Sequence, residues 1–397
     1  MPAQDSYPEL PFERPGVLDI PPRYRELQAD EPVARVRTLA GDPAWLVTRH
    51  SDVRMLFAHP ALGRSHPDPE RAARFSDTPL LGGPIGDSGT ERADHRRMRL
   101  ALGKAFSSHR AEALRPRVQA ILDRLLDDLA ELTPPADLHE ALSFPLPAHV
   151  ICDLLGVPFD DHEDFRRWSS GALDMRDPAH AAASIERLHG YMGRLTEEKR
   201  RRPGEDVITD MLDADGRGGL TEQEVVQLAA VLLLAGHETT VARIDLGVLL
   251  LLSHPDQREM LRQDPSLAPT AVEEILRMSV PGLGLMPRYA SADIEIAGVT
   301  IPAGDLVLIC TGAANRDAEA FSTPDRFDIT RAGNPHVAFG YGPRFCLGAS
   351  LARVELQCVF GTLFRRFPSM ELAVPVDRLR RRGHVFTGGL VDLPVAW

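Results

Sequence analysis

Cysteine is scarce in this chain, with 4 residues among 397, and no two of them form a Cys-x-x-Cys pair. Such sparse spacing excludes a disulfide scaffold and a thiolate zinc cluster. We therefore expect three inert, buried thiols and one that could act. The four are Cys152, Cys310, Cys346 and Cys358.

Long apolar runs are also missing. The longest, 228–236 and 246–252, fall short of the roughly 20 apolar residues that a membrane helix needs. Residues 1–15 contain three acids and no apolar stretch of signal-peptide length. A soluble, cytoplasmic protein without membrane association is expected.

Basic residues are outnumbered, since Lys+Arg 45 against Asp+Glu 57 give a formal net charge of −12. An acidic chain lacks the positive field that a general nucleic-acid binder needs. Hydrophobic residues make up 43% of the sequence, which is enough for a large core. No repeat, low-complexity tract or linker is visible, so we expect one domain over 1–397 and a monomer.

Helical periodicity dominates, and alternation with a period of two is confined to short stretches. The sequence therefore predicts a mainly α fold with a minor β portion. Helices are predicted over 111–132, 138–155, 182–201, 221–252 and 349–367. Strands are predicted at Val33–Arg37 and 45–47 as a hairpin, and over 294–301 and 306–310 as a small sheet.

The helix predicted over 221–252 begins at a capping box formed by Thr221 and Glu224. Its two halves are apolar, but its centre contains Gly236, Glu238 and Thr239. Glycine disfavours a helix interior, and buried polar groups need partners. One interpretation is a kink where a neighbouring helix crosses. The other is a ligand against the helix, with Glu238 and Thr239 handling protons or water.

The strongest signal is the glycine-rich segment 339–348, directly before the last predicted helix. Cys346 lies at the start of that helix, where the dipole and the N–H groups of Leu347 and Gly348 would favour a thiolate. Such a sulfur could be a nucleophile or a metal ligand, although no cysteine-hydrolase signature accompanies it. A purely structural cysteine is the third possibility.

The segment resembles the Phe-x-x-Gly-x-Arg/His-x-Cys-x-Gly signature of the cytochrome P-450 family of haem-thiolate monooxygenases. The matching residues are Phe339, Gly342, Arg344, Cys346 and Gly348. Further motifs of that family follow its order along the chain. They are Ala235-Gly236-x-Glu238-Thr239, Glu274-Ile275-Leu276-Arg277 and Pro324-Asp325-Arg326-Phe327.

The resemblance implies a haem b between the long helix and the cysteine loop, with Cys346 as the ligand of the iron. Ala235 would border the haem, Thr239 would position O2 and water, and Glu238 would relay protons. Cations would bind the haem propionates. They are His95, Arg99, Arg288 and Arg344. A buried ion network would hold the segment before the cysteine loop. Its members are Glu274, Arg277 and Arg326.

This sequence departs from many bacterial members of the family at Arg344, where they have histidine, and at Tyr341, where Phe-Gly-His-Gly is common. The precise partner of Arg344 is therefore open. Electrons would come from a ferredoxin and its reductase, because no flavin or iron–sulfur segment is recognisable. A basic cluster would dock the ferredoxin. Its residues are Arg96, Arg97, Arg99, Lys104, Arg110, Arg115, Arg117 and Arg353.

The segment 60–94 would form a lid over a roomy, apolar pocket for a small-molecule natural product. Candidate substrate contacts are Leu81, Leu234, Leu285 and Phe386. The resemblance favours hydroxylation or epoxidation of a polyene or other polyketide macrolide in antibiotic biosynthesis, and next the same chemistry on a terpenoid acid. A peroxide-driven haem enzyme and a non-catalytic haem-thiolate sensor or electron carrier are the alternatives.

Overall fold

The computed structural model describes residues 7–80, 82–158, 161–213, 219–383 and 385–397. Helices supply most of the regular structure. They are Arg23–Asp30 (α1), His50–Ala58 (α2), Glu91–Leu102 (α3), Ser108–Ala130 (α4), Pro145–Leu155 (α5), His162–Ala172 (α6), Pro178–Arg201 (α7), Val207–Leu212 (α8), Glu222–Ser253 (α9), Pro255–Gln263 (α10), Ala268–Met278 (α11), Thr311–Ala314 (α12) and Ala349–Arg366 (α13).

The strands are short. They are Val33–Arg37 (β1), Pro43–Val47 (β2), Leu62–Gly63 (β3), Ala136–Asp137 (β4), Leu285–Ala290 (β5), Ile294–Ile296 (β6), Val299–Ile301 (β7), Leu306–Cys310 (β8), Glu371–Leu372 (β9) and Pro394–Ala396 (β10). They form a five-stranded sheet in the order β1-β2-β8-β5-β3, a three-stranded sheet in the order β4-β10-β9, and the pair β6-β7. The predicted mainly α fold with a minor β portion is confirmed.

The small sheet predicted over 294–310 is divided in the structure. Strands β6 and β7 pair only with each other, whereas β8 lies between β2 and β5 in the five-stranded sheet. Every residue of β8 is buried, as expected for a strand enclosed on both faces. Sequence reasoning missed β5 because its neighbours, Pro281, Gly282 and Gly284, are typical of a loop.

The helix predicted over 138–155 is also divided. A π-helical turn at His139–Ser143 leads into α5, which begins at Pro145. Proline lacks the N–H group that a continuous helix would need at this position. The capping box of α9 is present as predicted, with Thr221 and Glu224 each bonding the other's backbone.

Helix α9 runs through the core and positions the site. Its 32 residues extend over about 48 Å at the usual helical rise. It packs against α5, α7, α11 and α13. By length and apolar character α9 could cross a membrane, but 56% of its most apolar window is buried inside the protein. This burial is typical of a core helix.

Candidate active site

The segment around Cys346 forms a tight loop that ends at the start of α13. The backbone N–H of Cys346 donates to the carbonyl oxygen of Phe339 at 2.8 Å. Gly340 and Gly342 have φ values of 72° and 71°, a left-handed conformation that favours glycine. A Cβ atom at Gly342 would also lie 3.1 Å from the Cα of Ala58. The path of the backbone therefore requires glycine at position 342.

The sulfur of Cys346 lies at the N-terminal end of α13. Burial raises the pKa of its thiol above the ordinary value, while the N–H groups of Gly348 and Ala349 and the guanidinium of Arg99 lower it. The predicted amides were those of Leu347 and Gly348, so the contacts lie one residue further along. The helix start thus acts in the expected direction, towards a thiolate, while burial has the larger effect on the pKa. A coordinated metal ion would deprotonate the thiol.

A cavity of about 500 Å³ lies between the cysteine loop and the centre of α9. Phe339, Cys346 and Gly348 border it from the loop, and Ala235 and Thr239 border it from α9. Ala235 and Thr239 are exposed although they lie midway along a core helix, because their side chains face this space. The cavity thus brings together the two strongest sequence motifs.

The remaining cavity walls are mostly apolar. Leu285 and Phe386 are among them, in agreement with their proposed place beside a substrate. The placement of Leu234 beside the substrate is wrong, because this residue packs in the helical core. It lies about 100° around the helix from Ala235. Leu81 lies outside the described residues.

The centre of α9 stays helical through its polar residues. Thr239 donates its hydroxyl to the carbonyl oxygen of Ala235 at 2.6 Å, and Thr240 donates to Gly236 at 3.1 Å. A Cβ atom at Gly236 would lie 2.9 Å from Cδ1 of Ile151 in α5. Gly236 therefore accommodates a crossing helix, while Ala235 and Thr239 face the cavity. The sequence suggested either a crossing helix or a ligand beside this segment. The crossing helix contacts Gly236, and the cavity that could hold a ligand borders Ala235 and Thr239.

Glu238 points away from the cavity and is fully buried. Its carboxylate accepts hydrogen bonds from Arg382 at 2.5 Å and Ser170 at 3.0 Å. Burial acts to raise its pKa, but Arg382 and His237, together with these hydrogen bonds, bring the pKa below the ordinary value. Glu238 is therefore a buried, ion-paired carboxylate.

The four cations predicted to bind propionates come together at one edge of the cavity. Burial is the main cause of a lowered pKa at His95, and Arg344, Arg99 and Arg288 lower it further. Sequence reasoning missed Arg64, whose pKa is lowered by burial and then by Arg344. Its only sequence signal was a position within the segment 60–94, which we interpreted as a lid.

One carboxylate partly compensates this cation cluster. Glu91 pairs with Arg344 and accepts hydrogen bonds from the backbone N–H groups of Arg64 at 2.7 Å and Ser65 at 3.1 Å. Even so, burial, Arg64 and Arg344 lower the pKa of Arg288 to about 9. The cluster keeps an excess of positive charge, which two propionates would neutralise.

The buried ion network contains a different arginine from the predicted one. Arg277 donates to both carboxylate oxygens of Glu274, at 2.8 and 2.7 Å, and both side chains are fully buried. The Nε of Arg331 lies 3.1 Å from both oxygens. Arg326 contributes only its carbonyl oxygen, 3.1 Å from Nη2 of Arg277. Its side chain is exposed, so its assignment to the network is wrong.

These features fit an iron porphyrin. A cysteine thiol faces an apolar cavity, a helix with small residues borders the opposite side, and an excess of cations lies at the edge where propionates would bind. The fold and the site together define a haem-thiolate protein. The chain belongs to the cytochrome P-450 family, whose family model, described as cytochrome P-450, matches residues 39–380. It is a haem-binding monooxygenase, as the resemblance implied.

Relatives with full-length similarity act on natural products. The chain is 44% identical to pentalenolactone synthase of Streptomyces exfoliatus, over 98% of this chain and 99% of the relative. It is 40% identical to mycinamicin IV hydroxylase/epoxidase of Micromonospora griseorubida, over 98% of each. A solved structure of CYP105P1 in complex with filipin I has a TM-score of 0.90 at 36% identity, covering 98% and 99%. The chain is therefore a tailoring oxygenase of the kind found in natural-product biosynthesis.

Proposed function

We propose that this monooxygenase hydroxylates or epoxidises a large natural product, with a polyene or other polyketide macrolide as the first candidate. One observation carries the proposal: a single apolar cavity is bordered by Cys346 on one side and Thr239 on the other. The names of relatives that act on mycinamicin IV or bind filipin I support the macrolide class.

Each of the site residues has a separate proposed role in the reaction. A thiolate-ligated haem supplies oxygen activation when it is bound, and Cys346 would provide the sulfur. Thr239 can turn its hydroxyl from the carbonyl oxygen of Ala235 into the cavity, where it would hold a water molecule. Glu238 would deliver protons, but it must first part from Arg382, which holds it at 2.5 Å. Arg382 therefore controls the proton supply.

Ferredoxin, reduced by its reductase, is the proposed electron donor, and it would dock on the basic surface near the cysteine loop. Not every residue of the predicted basic cluster is free to attract a partner. Arg97 is occupied by ion pairs with Asp94 and Glu224. Arg96 and Lys104 are exposed, and no described acid forms an ion pair with either. These two residues are the stronger candidates for attracting an acidic partner.

A terpenoid acid is the second candidate substrate. The cavity wall carries a half-buried arginine, Arg243, which favours an acid over a neutral macrolide. Pentalenic acid synthase of Streptomyces avermitilis, a relative named for an acid, is 39% identical to this chain over 98% of this chain and 97% of the relative. We further propose a monomeric, cytoplasmic enzyme, which sedimentation and cell fractionation would test.

Spectroscopy and turnover test the proposed function. Wild-type protein should give the thiolate-type Soret band of the reduced carbon monoxide complex, and Cys346→Ser should abolish it. Product should form with NADPH, ferredoxin reductase and ferredoxin. Product with peroxide alone would indicate a peroxide-driven enzyme, and no product under either condition would support a sensor or electron carrier. Natural-product pools can be screened for substrate by the change in haem spin state.

Charge reversal tests the docking surface. Arg96→Glu with Lys104→Glu should raise the ferredoxin concentration needed for half-maximal turnover, and added salt should reduce the difference from wild type. Arg187→Glu changes an exposed arginine on α7 and serves as the matched control. Equal ferredoxin dependence in all three proteins would contradict this docking surface.

A further inference from the structure

Arg243 is a charged residue on the cavity wall that the activity described so far does not use. It lies on α9 four residues after Thr239, about 6 Å further along the helix axis. The guanidinium lies deep in the protein, yet the residue is only half-buried, because it borders the cavity. Burial lowers its pKa to about 9. No carboxylate of the described residues lies within ion-pair distance of it.

One nitrogen of Arg243 accounts for its hydrogen bonds. Nη1 donates to the carbonyl oxygen of Leu276 at 2.9 Å, to the hydroxyl of Ser279 at 2.6 Å and to the carbonyl oxygen of Ser279. Within the described part of the chain, neither Nε nor Nη2 has an acceptor. Together these two nitrogens form a planar fork of N–H donors that matches a carboxylate.

Two more arginines add positive potential behind this wall. Arg381 donates to the carbonyl oxygen of Val280, and Arg14 donates to that of Gly282 at 3.3 Å. Burial is the main cause of a lowered pKa at both, and Arg243 lowers that of Arg381 further. Asp19 acts on Arg14, but the partners of this group are otherwise mainly carbonyl oxygens. The wall is therefore short of negative charge.

The nearby acids do not supply negative charge to this wall. Burial raises the pKa of Glu355 well above its ordinary value, which opposes ionisation of its carboxyl. Glu238 forms an ion pair with Arg382 and lies outside the cavity. Arg288 interacts electrostatically with Arg64 and Arg344 and not with Arg243. It therefore belongs to the separate cation cluster at the proposed propionate edge.

Thr387 provides a second, independent indication. Its side chain lines the cavity and is only 8% exposed, yet its hydroxyl has no hydrogen-bond partner among the described residues. The segment that carries Thr387 contacts α9 at the residue before Arg243, since a Cβ atom at Gly389 would lie 3.4 Å from the Cβ of Ala242. A buried, unsatisfied hydroxyl is costly unless a ligand or water bonds it.

We infer that Arg243 and Thr387 form a subsite for a carboxylate of the substrate, so that the natural substrate, whether a macrolide or a terpenoid, carries a carboxylate group. The inference rests on the proposed function, because it concerns the substrate of that same cavity. Nε and Nη2 of Arg243 would hold the two carboxylate oxygens, and the hydroxyl of Thr387 would donate to one of them. The oxidised carbon then lies in the part of the substrate that reaches past Thr239 towards the haem.

A purely structural role for Arg243 is the competing explanation. Its Nη1 binds carbonyl groups at the end of α11, as a helix-capping cation does. That role needs only one edge of the guanidinium and makes no distinction between ligands. The experiment must therefore compare two ligands that differ only in charge.

Imidazole-terminated alkanoic acids of increasing chain length, each with its methyl ester, are the probes. The imidazole ligates the haem iron and shifts the Soret band, and the other end of the probe samples the cavity. In wild-type holoenzyme, the acid that spans the distance should bind about tenfold more tightly than its ester, as expected for a charge-assisted fork. Arg243→Gln should remove this preference, whereas Arg243→Lys should retain part of it.

Two further variants serve as a control and as an independent test. Arg316 is a buried arginine that also binds the end of α11, through the carbonyl oxygen of Met278 at 3.1 Å, but it does not line the cavity. Arg316→Gln should keep the preference for the acid. Thr387→Val should reduce that preference several-fold while leaving ester binding unchanged, and this test remains if Arg243→Gln fails to fold.

Two outcomes would overturn the inference. Wild type could bind acids and esters equally at every chain length, or Arg243→Gln could weaken both kinds of probe by the same factor. Failure of the proposed function looks different, because the protein would then lack the thiolate-type carbon monoxide band or imidazole itself would not shift the Soret band.

Discussion

The buried network around Arg277 gives the sharpest stability prediction. Replacing Arg277 with Met leaves Glu274 buried with Arg331 as its remaining cation, and deprives the carbonyl oxygens of Asn315 and Pro324 of a donor. Breaking a buried pair costs on the order of 3 to 5 kcal/mol. Since Arg331 keeps part of the compensation while the carbonyl groups add to the cost, we expect a loss of about 4 kcal/mol.

A loss of that size changes the unfolding equilibrium by about three orders of magnitude. Urea unfolding of the holoenzyme, followed by far-UV circular dichroism and by the Soret band, measures it. Haem should be lost at lower urea than in wild type, because Asn315 also holds Val337 of the segment leading to the cysteine loop, at 2.8 Å. A free energy of unfolding within about 1 kcal/mol of wild type would refute the reasoning.

Arg326→Ala is the matched control for this measurement. The side chain of Arg326 is exposed and only its backbone carbonyl oxygen reaches Arg277. The substitution keeps that carbonyl group, so the free energy of unfolding should change by less than about 0.5 kcal/mol. A loss as large as that of Arg277→Met would restore Arg326 to the network and contradict the observed contacts.

Three further predictions concern the cavity and its surroundings. Thr239→Ala should keep the haem spectrum but divert electrons to peroxide, measured as NADPH consumed per product; tight coupling would count against its role. Arg382→Gln should destabilise the protein most at neutral pH. The pKa of Glu238 is held below its ordinary value, so the ion pair is lost only as the pH falls through that lowered pKa. Thermal unfolding across pH would contradict this if the difference in melting temperature between wild type and variant stayed constant. Leu285→Trp should weaken the spin-state response to a bulky substrate, whereas Leu234→Met, outside the cavity, should not.

Local patterns predicted the parts of the fold that depend on local chemistry. The capping box at Thr221 and Glu224 marked the start of α9, and the glycines before Cys346 marked a tight loop. Both depend on backbone conformation or on hydrogen bonds between near neighbours. The exchange of Arg326 for Arg331 was not predictable in this way, since the side chain that reaches Glu274 depends on how an irregular segment folds back on α11.

Strand β8 and Arg243 show two other limits of sequence reasoning. The parallel pairing of β8 with β2 joins residues far apart in the chain, such as Leu46 and Leu308, and alternation alone favoured a local sheet. Arg243 did carry a signal, because it is a charge in an apolar half of α9, four residues beyond Thr239. That spacing places the two on one helix face.

The helical period of α9 separates its cavity-facing residues from Glu238, the proposed proton relay. Ala235, Thr239 and Arg243 recur every fourth residue and line the cavity, while Glu238, one position before Thr239, lies outside the cavity and pairs with Arg382. The two faces cannot exchange without rotating a core helix that is packed along its length. If Glu238 relays protons as proposed, their delivery depends on the movement of a side chain, and release of Arg382 would free Glu238. Breaking the ion pair between Glu238 and Arg382 would then open the proposed proton path, so the contact that stabilises the protein would also control that path.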